Sequence, residues 1–306
     1  MSFSKKGPQR VSQTKPKSSS HRSNDRAGQR PPLQRSQPRT GPSRTGQPTA
    51  DRGARTSQRE SPEAIPRAWR MIAGTHAIRE CIKVRPETIK HAIFDRNYGS
   101  QPELREIFDL LKYKKVPSEE RSSAELEKLC YSHQGCVIYS SFIPTFDLHQ
   151  DEPFDDHSLI VALDGVEDPH NLGAVLRTSW LTSASGLIIP SDRAVGLTAT
   201  VHKVACGGVE HVPIVIAQNF AEAFKPLKDA GFWVFGLSHK SKKTIYDLKM
   251  PEKVIWVLGS EDKGMRSTTE KACDELVSLP QVSAEASYNV SVAAAMALAE
   301  TKRQWR

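Results

Sequence analysis

The residues of this chain best suited to chemistry stand in three short polar segments, each of which follows an apolar, strand-like run. The segments are DPHNLGAVLRTS over 168–179, LGSEDKGMR over 258–266 and LPQVSAEASYNVSVAAA over 279–295. Ligands of open parallel sheets gather beyond the carboxyl ends of the strands. The amide, carboxylate, hydroxyl and guanidinium groups of the three segments could therefore hold one polar ligand together.

The first segment is predicted to begin a helix directly after a strand. Its apolar and small residues recur at i, i+3, i+4 and i+7, which is the spacing of one buried helix face: Leu172, Val175, Leu176 and Ser179. Asn171, Gly173 and Arg177 lie off this stripe. We therefore expect these three residues to face away from the core.

Taken one at a time, the polar residues also have purely structural explanations. Asn171 could cap the helix, with Pro169 setting the turn, and Glu261 could be a solvated loop acid. Ser287 and Asn289 could cap the final helix. Three such loops at one sheet edge are harder to explain in this way, so we interpret them as one functional site.

The surrounding elements predict an α/β domain over residues 158–306. Apolar runs alternate with helical stretches, a pattern typical of a mostly parallel sheet covered by helices on both faces. The predicted strands span 158–164, 186–190, 212–216, 232–238, 253–259 and 275–280. A last helix, from about Ser291, contains small apolar residues that suit packing against a sheet or a second subunit.

Residues 66–143 are predicted to form a smaller α/β domain. Its elements are a helix at GTHAIRECI, a strand at HAIFDR, an amphipathic helix at ELREIFDLLKYKKV, a capped helix at SSAELEKLC and a closing strand at HQGCVIYSSF. The following segment, 144–157, is acidic, contains Pro and has no periodicity, which predicts a linker.

Residues 1–65 are predicted to be a disordered basic tail. The first 60 residues contain 14 Lys or Arg, three Asp or Glu and seven apolar residues, too few to offset the entropy of ordering. The other 246 residues carry 29 basic and 32 acidic residues, so the net charge of +8 arises in the tail. The tail could be an arm that contacts phosphates or a solubilising segment. A transit peptide is a third possibility, but the many Pro and Gly residues would disrupt the amphipathic helix that such peptides form.

Several functional classes lack a signal in the sequence. The five cysteines include no C-x-x-C pair, so we expect neither a disulfide framework nor a metal site. The motifs G-x-G-x-x-G, G-x-x-x-x-G-K-[ST], H-E-x-x-H and G-x-S-x-G are absent. No apolar run approaches the roughly 18 residues of a membrane span, and no signal peptide is evident. We therefore expect a soluble, cytoplasmic protein.

In order and spacing, the three segments resemble the three motifs of the SpoU (TrmH) family of RNA ribose 2′-O-methyltransferases, within the SPOUT superfamily. The resemblance covers 158–306, and GTHAIRECI with HQGCVIYS is similar to the small substrate-binding domain of many members. It implies a trefoil-knotted α/β domain, S-adenosylmethionine as cofactor and a homodimer formed through the knot. The periodicity of the sequence itself does not indicate a knot, which is a rare feature.

The resemblance also assigns residues to roles. The essential arginine of the family corresponds to Arg177, and the asparagine of the first motif corresponds to Asn171. The glutamate of the second motif corresponds to Glu261, and the serine and asparagine of the third to Ser287 and Asn289.

The contacts with the cofactor correspond to Gly259, Leu279 and Tyr288, largely through backbone groups around the adenosine. The family usually has Leu where this chain has Tyr288. A backbone contact survives that difference, whereas the shape of the pocket can change.

The implied reaction requires alignment of the hydroxyl oxygen, the methyl group and the sulfur, together with loss of a proton. A guanidinium normally stays protonated, so we expect Arg177 to orient the target phosphate and stabilise negative charge rather than act as a general base. The other four polar residues would hold the arginine and the ribose-phosphate. Gly173 would leave room for the RNA to approach closely.

The sequence thus predicts an S-adenosylmethionine-dependent enzyme that methylates a ribose 2′-hydroxyl of structured rRNA or tRNA. A non-catalytic RNA-binding or ribosome-assembly factor with the same fold is the alternative, and Tyr288 is the residue that favours it. A knotted methyltransferase acting on a base is a third possibility, against which the Asn-Val-Ser sequence of the third motif argues.

Overall fold

The computed structural model describes residues 66, 68–131, 133–149, 154–283 and 286–306. The predicted tail, 1–65, lies outside the described residues. Everything described below belongs to one unit within Ser61–Arg306. None of the described helices is long and apolar enough to cross a bilayer.

The smaller sheet has four strands in the order β1–β4–β2–β3. The strands are β1 (Arg70–Ala73), β2 (Ile89–Asp95), β3 (Ser118–Arg121) and β4 (Cys136–Ser140). Its helices are α1 (Thr75–Val84), α2 (Pro102–Tyr113) and α3 (Ser123–Leu129). The three helices and the strands β2 and β4 match the sequence-based prediction, and the Glu125 carboxylate accepts a hydrogen bond from the Ser122 amide (2.9 Å) as the capping box requires.

The larger sheet has six strands, all parallel, in the order β10–β8–β9–β5–β6–β7. They are β5 (Ser158–Asp164), β6 (Gly186–Pro190), β7 (Ile214–Ala217), β8 (Trp233–Leu237), β9 (Lys253–Gly259) and β10 (Glu275–Val277). Three strands have the predicted bounds. The last is shorter than predicted, because it pairs with β8 over only three residues before Leu279 and Pro280 leave the sheet.

Helices cover both faces of this sheet, which confirms the predicted α/β class. They are α4 (Pro169–Leu181), α5 (Ala199–Ala205), α6 (Gly208–His211), α7 (Phe220–Asp229), α8 (Ser267–Ala272) and α9 (Val290–Gln304). In the central strand β5, Leu159 and Val161 belong to the core shared with α4, α5 and α9, whereas Ile160 and Ala162 belong to the core shared with α7. A strand buried on both faces explains the continuous apolar run.

Helix α4 buries the predicted stripe, but it also buries Asn171 and Gly173, which were expected to face away from the core. Gly173 is buried against α5, where a Cβ atom would lie 2.7 Å from the Val204 Cβ and 3.0 Å from the Val201 carbonyl oxygen. Glycine at this position therefore allows two helices to pack closely, and it does not open a path for RNA.

The segment predicted as a linker is packed along the larger sheet in its described parts. Phe146, Leu148 and Phe154 lie against the α7-side core, and the Phe154 ring meets Phe232 edge to face at 4.8 Å. Their apolar side chains have no periodicity, so the sequence did not predict that they are anchored.

A buried ion pair joins the smaller domain to the larger domain. The Arg70 guanidinium donates two hydrogen bonds, each 2.7 Å, to the two carboxylate oxygens of Glu210, and both side chains are almost fully buried. The Arg85 guanidinium donates to the Glu210 carbonyl oxygen and lies 3.7 Å from its carboxylate. His211 Nε2 lies 2.8 Å from the Glu80 carboxylate. Polar contacts of this geometry hold α6 and the smaller domain in one arrangement.

His202 of α5 lies beside this contact, fully buried, and its Nε2 has no hydrogen-bond partner among the described residues. Burial, and secondarily the positive charge of Arg70, lowers the pKa of His202 to about 3. The imidazole is therefore neutral in the folded protein at neutral pH.

Candidate active site

The first two polar segments meet because they follow neighbouring parallel strands. Asp164, the last residue of β5, pairs in register with Gly259, the last residue of β9. The third segment follows β10 at the sheet edge and then enters α9, which packs beside α4 in the same core. The predicted convergence of the three segments is thus present in the structure.

Three of the predicted catalytic residues form one hydrogen-bonded cluster. The Glu261 Oε1 atom accepts from Asn171 Nδ2 (3.1 Å), from Asn289 Nδ2 (2.5 Å) and from the Val290 amide (3.3 Å). Asn289 Nδ2 also donates to Asn171 Oδ1 (2.9 Å). One carboxylate oxygen therefore connects all three segments.

Of the two asparagines that could cap a helix, only one does so. Asn171 does not cap α4, because Asp168 accepts from the His170 amide (2.9 Å) in that role. Asn289 does cap α9, since its Oδ1 accepts from the Ser291 amide (2.9 Å) while its Nδ2 belongs to the cluster. A single side chain thus starts the last helix and contributes to the site.

Arg177 is exposed on α4, six residues beyond Asn171. Its Nη1 lies 3.5 Å from the Cys206 Sγ. Among the described residues, its guanidinium makes no hydrogen bond to Asn171, Glu261 or Asn289. The structure therefore separates the predicted essential arginine from the carboxylate-centred cluster.

A cavity of about 360 Å³ lies on one side of the loop that follows β9, within the size range of small-ligand sites. Its lining includes the three predicted cofactor residues Gly259, Leu279 and Tyr288, together with Ser287 and Glu261. The structure thus places Ser287 with the cofactor residues rather than in the cluster.

Gly259 has a clear steric reason to lack a side chain. A Cβ atom there would lie 2.0 Å from the Gly264 carbonyl carbon and 2.1 Å from the Met265 amide nitrogen. The loop folds back over the end of β9 and is closed by paired backbone hydrogen bonds between Ser260 and Gly264 (2.9 and 3.1 Å). This tight backbone cradle fits a cofactor held through main-chain groups.

Tyr288 fits this site by making a contact that leucine cannot make. Its hydroxyl donates to the Pro280 carbonyl oxygen (2.9 Å), and 38% of the residue is exposed. The hydroxyl therefore ties Tyr288 to the chain just after Leu279, another residue of the cavity lining.

A second cavity, of about 310 Å³, lies on the other side of the same loop and is lined by Asn171 and Glu261. Its lining also includes Asp164 and Arg266, which were not predicted as site residues. The buried Asp164 carboxylate accepts from the Arg266 amide (2.8 Å) and from its Nε (2.6 Å), which ties β5 to the end of this loop. The sequence signal for Asp164 was an acidic residue at the end of an otherwise apolar strand. Among the described residues, no group of His, Cys, Asp or Glu suits a metal ion.

Comparison with known proteins identifies the same two parts of the chain. Residues 158–299 match the model of the SpoU rRNA Methylase family, and residues 71–142 match the model for RNA 2′-O ribose methyltransferase substrate binding. The chain is similar to the 23S rRNA (guanosine-2′-O-)-methyltransferase RlmB of Nitrosomonas europaea, with 38% identity over 76% of this chain and 91% of that protein. The RlmB of Pseudomonas aeruginosa is 35% identical over 77% of this chain and 97% of that protein.

The solved structures agree on the fold. The SpoU methyltransferase AviRb from Streptomyces viridochromogenes, in complex with the cofactor AdoMet, has a TM-score of 0.67 at 20% identity, over 78% of this chain and 91% of that chain. These findings confirm the resemblance indicated by the three motifs and the α/β methyltransferase fold. The chain belongs to the SpoU rRNA methylase family, whose members are S-adenosylmethionine-dependent RNA ribose 2′-O-methyltransferases.

Proposed function

We propose that this protein transfers a methyl group from S-adenosylmethionine to the ribose 2′-hydroxyl of a guanosine in 23S rRNA. The choice of RNA and nucleotide comes from the RlmB relatives, which match over most of both chains. The observation that carries the proposal for this chain is the Glu261-centred cluster, which lies between a cofactor-sized cavity and the second cavity lined by Asn171. The two cavities would take the two substrates.

When bound, S-adenosylmethionine supplies an activated methyl group on a sulfonium. The backbone around Gly259, Leu279 and Tyr288 would hold its adenosine, and the absence of a Cβ at Gly259 keeps that backbone close. Glu261 uses one carboxylate oxygen for the three N–H groups. Its other oxygen would accept a hydrogen bond from the ribose and orient the attacking hydroxyl.

Arg177 would act on the phosphate rather than on the ribose hydroxyl. Six residues of α-helix place it about 9 Å along the axis and about 120° around it from Asn171. A protonated, exposed guanidinium at that distance suits a phosphate group, which it binds in a bidentate manner, and it stabilises negative charge that develops nearby.

We also propose a homodimer and a cytoplasmic location, as the family resemblance and the bacterial relatives imply. Helix α9 supports the dimer, since Val292 is 48% exposed and Ala299 also faces outwards. Light scattering of the full chain at micromolar concentration tests this, and a monomeric mass would refute it.

The central experiment compares methyl transfer to unmodified 23S rRNA by the wild type and by Arg177→Ala. We expect a loss of about 10²-fold or more in turnover, the usual scale for one preorganised electrostatic group, with cofactor binding and stability nearly unchanged. Arg303→Ala, which removes an exposed arginine outside both cavities, is the matched control and should retain activity.

Equal activity of Arg177→Ala and the wild type would remove Arg177 from the site. Binding of the rRNA without transfer by the wild type would instead support the non-catalytic assembly factor.

A further inference from the structure

A third cavity, of about 610 Å³, lies where loops of the smaller domain meet α5 of the larger domain. Its lining includes Asn97, Gln101, His133 and Gln134 from the smaller domain and Lys203 from α5. It is separate from the two cavities of the candidate active site, and the reaction proposed above does not use it. Amide and imidazole groups are the side chains that read the edges of unpaired nucleobases.

The buried wall of this cavity carries a carboxylate. Asp95 ends β2, is only 8% exposed, and accepts a hydrogen bond from the Asn97 amide through Oδ1 (2.8 Å). A buried carboxylate offers further acceptor sites but repels phosphate. The interior of the cavity therefore suits a neutral group rich in N–H donors.

The loop beside Asp95 has an unusual backbone, and its Gly135 carbonyl oxygen accepts a hydrogen bond from the Asp95 amide (2.8 Å). Gln134 has φ 51° and Gly135 has φ 83°, two consecutive residues in the left-handed region. This conformation is uncommon for a residue such as glutamine, and such strain clusters at functional sites. The Gln134 Oε1 accepts from the Thr75 amide (3.3 Å), which leaves the side-chain NH₂ group as donor.

The rim combines an aromatic ring with a positive charge. Tyr131 is 91% exposed, which is unusual for so large a ring. Lys203 also lines the cavity, and its carbonyl oxygen accepts from the Cys206 Sγ (3.4 Å), the same sulfur that Arg177 approaches. The Arg177 guanidinium therefore lies near the backbone of Lys203, at the end of α5.

We propose that this cavity is a second RNA subsite, which binds one unpaired guanine of the substrate rRNA away from the methylated ribose. The Asp95 carboxylate would accept from the imino and amino groups of the base, and the Gln134 amide would donate to its carbonyl oxygen. The Tyr131 ring would stack on the base, and Lys203 would contact its phosphate. The identity of the RNA rests on the proposed function.

The subsite is preformed because both of its walls are fixed. The buried Arg70–Glu210 pair and the Glu80–His211 contact hold the smaller domain against α6, next to α5. A cavity built across such a contact needs no domain movement on binding, which lowers the entropic cost of recognition.

The first test measures binding of in vitro transcribed 23S rRNA and the KM and kcat for its methylation. Tyr131→Ala and Gln134→Gly should weaken binding and raise KM by roughly five- to 100-fold, with kcat at saturating RNA unchanged. Glycine accepts the left-handed backbone at position 134, so this variant should fold normally. Tyr113→Ala, which removes an 81% exposed tyrosine of the same domain, is the matched control.

The second test uses a uridine octamer with or without one central guanosine. The wild type should bind the guanosine octamer roughly 10-fold more tightly, and Asp95→Asn should abolish the difference because an amide replaces one acceptor oxygen by a donor. Absence of this preference in the wild type would overturn the base assignment. Unchanged binding and KM in Tyr131→Ala and Gln134→Gly, or an equal loss in Tyr113→Ala, would overturn the subsite.

The binding measurements do not require methylation. A wild type that binds these RNAs but does not methylate 23S rRNA would refute the proposed function. RNA binding by the Tyr131, Gln134 and Asp95 variants would still show whether the subsite exists.

Discussion

The ion pair between Arg70 and Glu210 allows a sharp prediction about how the two domains are held together. Both side chains are nearly inaccessible, with 3% and 1% of their surface exposed. We consider Arg70→Met, Glu210→Met and the double variant. Methionine has a similar length and no charge, so each single change leaves the other charge in place without its partner.

The surroundings predict that the two single changes differ. In Arg70→Met, the Glu210 carboxylate keeps Arg85 at 3.7 Å, so the free energy of unfolding should fall by about 3 kcal/mol. In Glu210→Met, the buried Arg70 guanidinium keeps the Phe142 carbonyl oxygen as acceptor, but no other carboxylate of the described residues forms an ion pair with it, so the loss should approach about 5 kcal/mol. The double variant should lose less than either, about 2 kcal/mol or less, because an apolar pair fills the space.

Urea unfolding of the full chain at one fixed protein concentration measures these differences, since a dimer makes the midpoint depend on concentration. Cofactor affinity should be the same in all four proteins, because the pair lies outside the cofactor cavity. The reasoning is refuted if the double variant loses as much as the two single variants together, or if Arg70→Met is the more damaging single change.

Three further predictions concern the cofactor loop, pH and the tail. Gly259→Ala should weaken S-adenosylmethionine binding at least roughly 10-fold by calorimetry, since its Cβ would lie 2.0 Å from the Gly264 carbonyl carbon. The control Gly99→Ala, whose Cβ would meet no atom within 4 Å, should bind the cofactor normally. Equal affinities of the two variants would contradict the steric role of Gly259. His202 is neutral when folded, with a pKa of about 3, but takes a proton below about pH 6.5 when unfolded, so stability falls as the pH falls through this range. Between pH 7 and 5 the free energy of unfolding of the wild type should fall by about 2 kcal/mol from this cause, and that of His202→Gln should fall by that much less. Urea unfolding at the two pH values measures both, and equal decreases in the two proteins would disprove the role of His202. Deleting residues 1–60 should flatten the salt dependence of RNA binding, and an unchanged slope would exclude the arm.

The sequence predicted elements well where their residues are periodic or continuously apolar. Strands β5, β6 and β9 have the predicted bounds, because strands buried on both faces cannot tolerate polar residues. Strand β3, with the sequence SEER, was missed because a half-exposed edge strand needs few apolar side chains. Gly173 was misjudged because a glycine carries no hydrophobic signal, and its burial depends on α5, which lies far along the chain.

The meeting of the three polar segments was predictable from parallel topology, but the contacts within the site were not. Hydrogen bonds such as those of Glu261 depend on angles and on loop closure, which spacing does not encode. Asp164 ends a predicted strand and Arg266 ends the second polar segment, yet their pairing required the return of the loop after β9. The role of Arg177 stays a prediction until its variant is assayed.

The loop from Ser260 to Gly264 forms part of the wall of both cavities of the candidate active site. Any movement of this loop on filling one cavity changes the shape of the other, so the two binding equilibria are linked. Thermodynamic linkage is reciprocal: the factor by which the cofactor changes the affinity for RNA equals the factor by which RNA changes the affinity for the cofactor. A loop of five residues that contains Glu261 would then couple the affinities for the two substrates and, by the same reciprocity, the affinities for the two products.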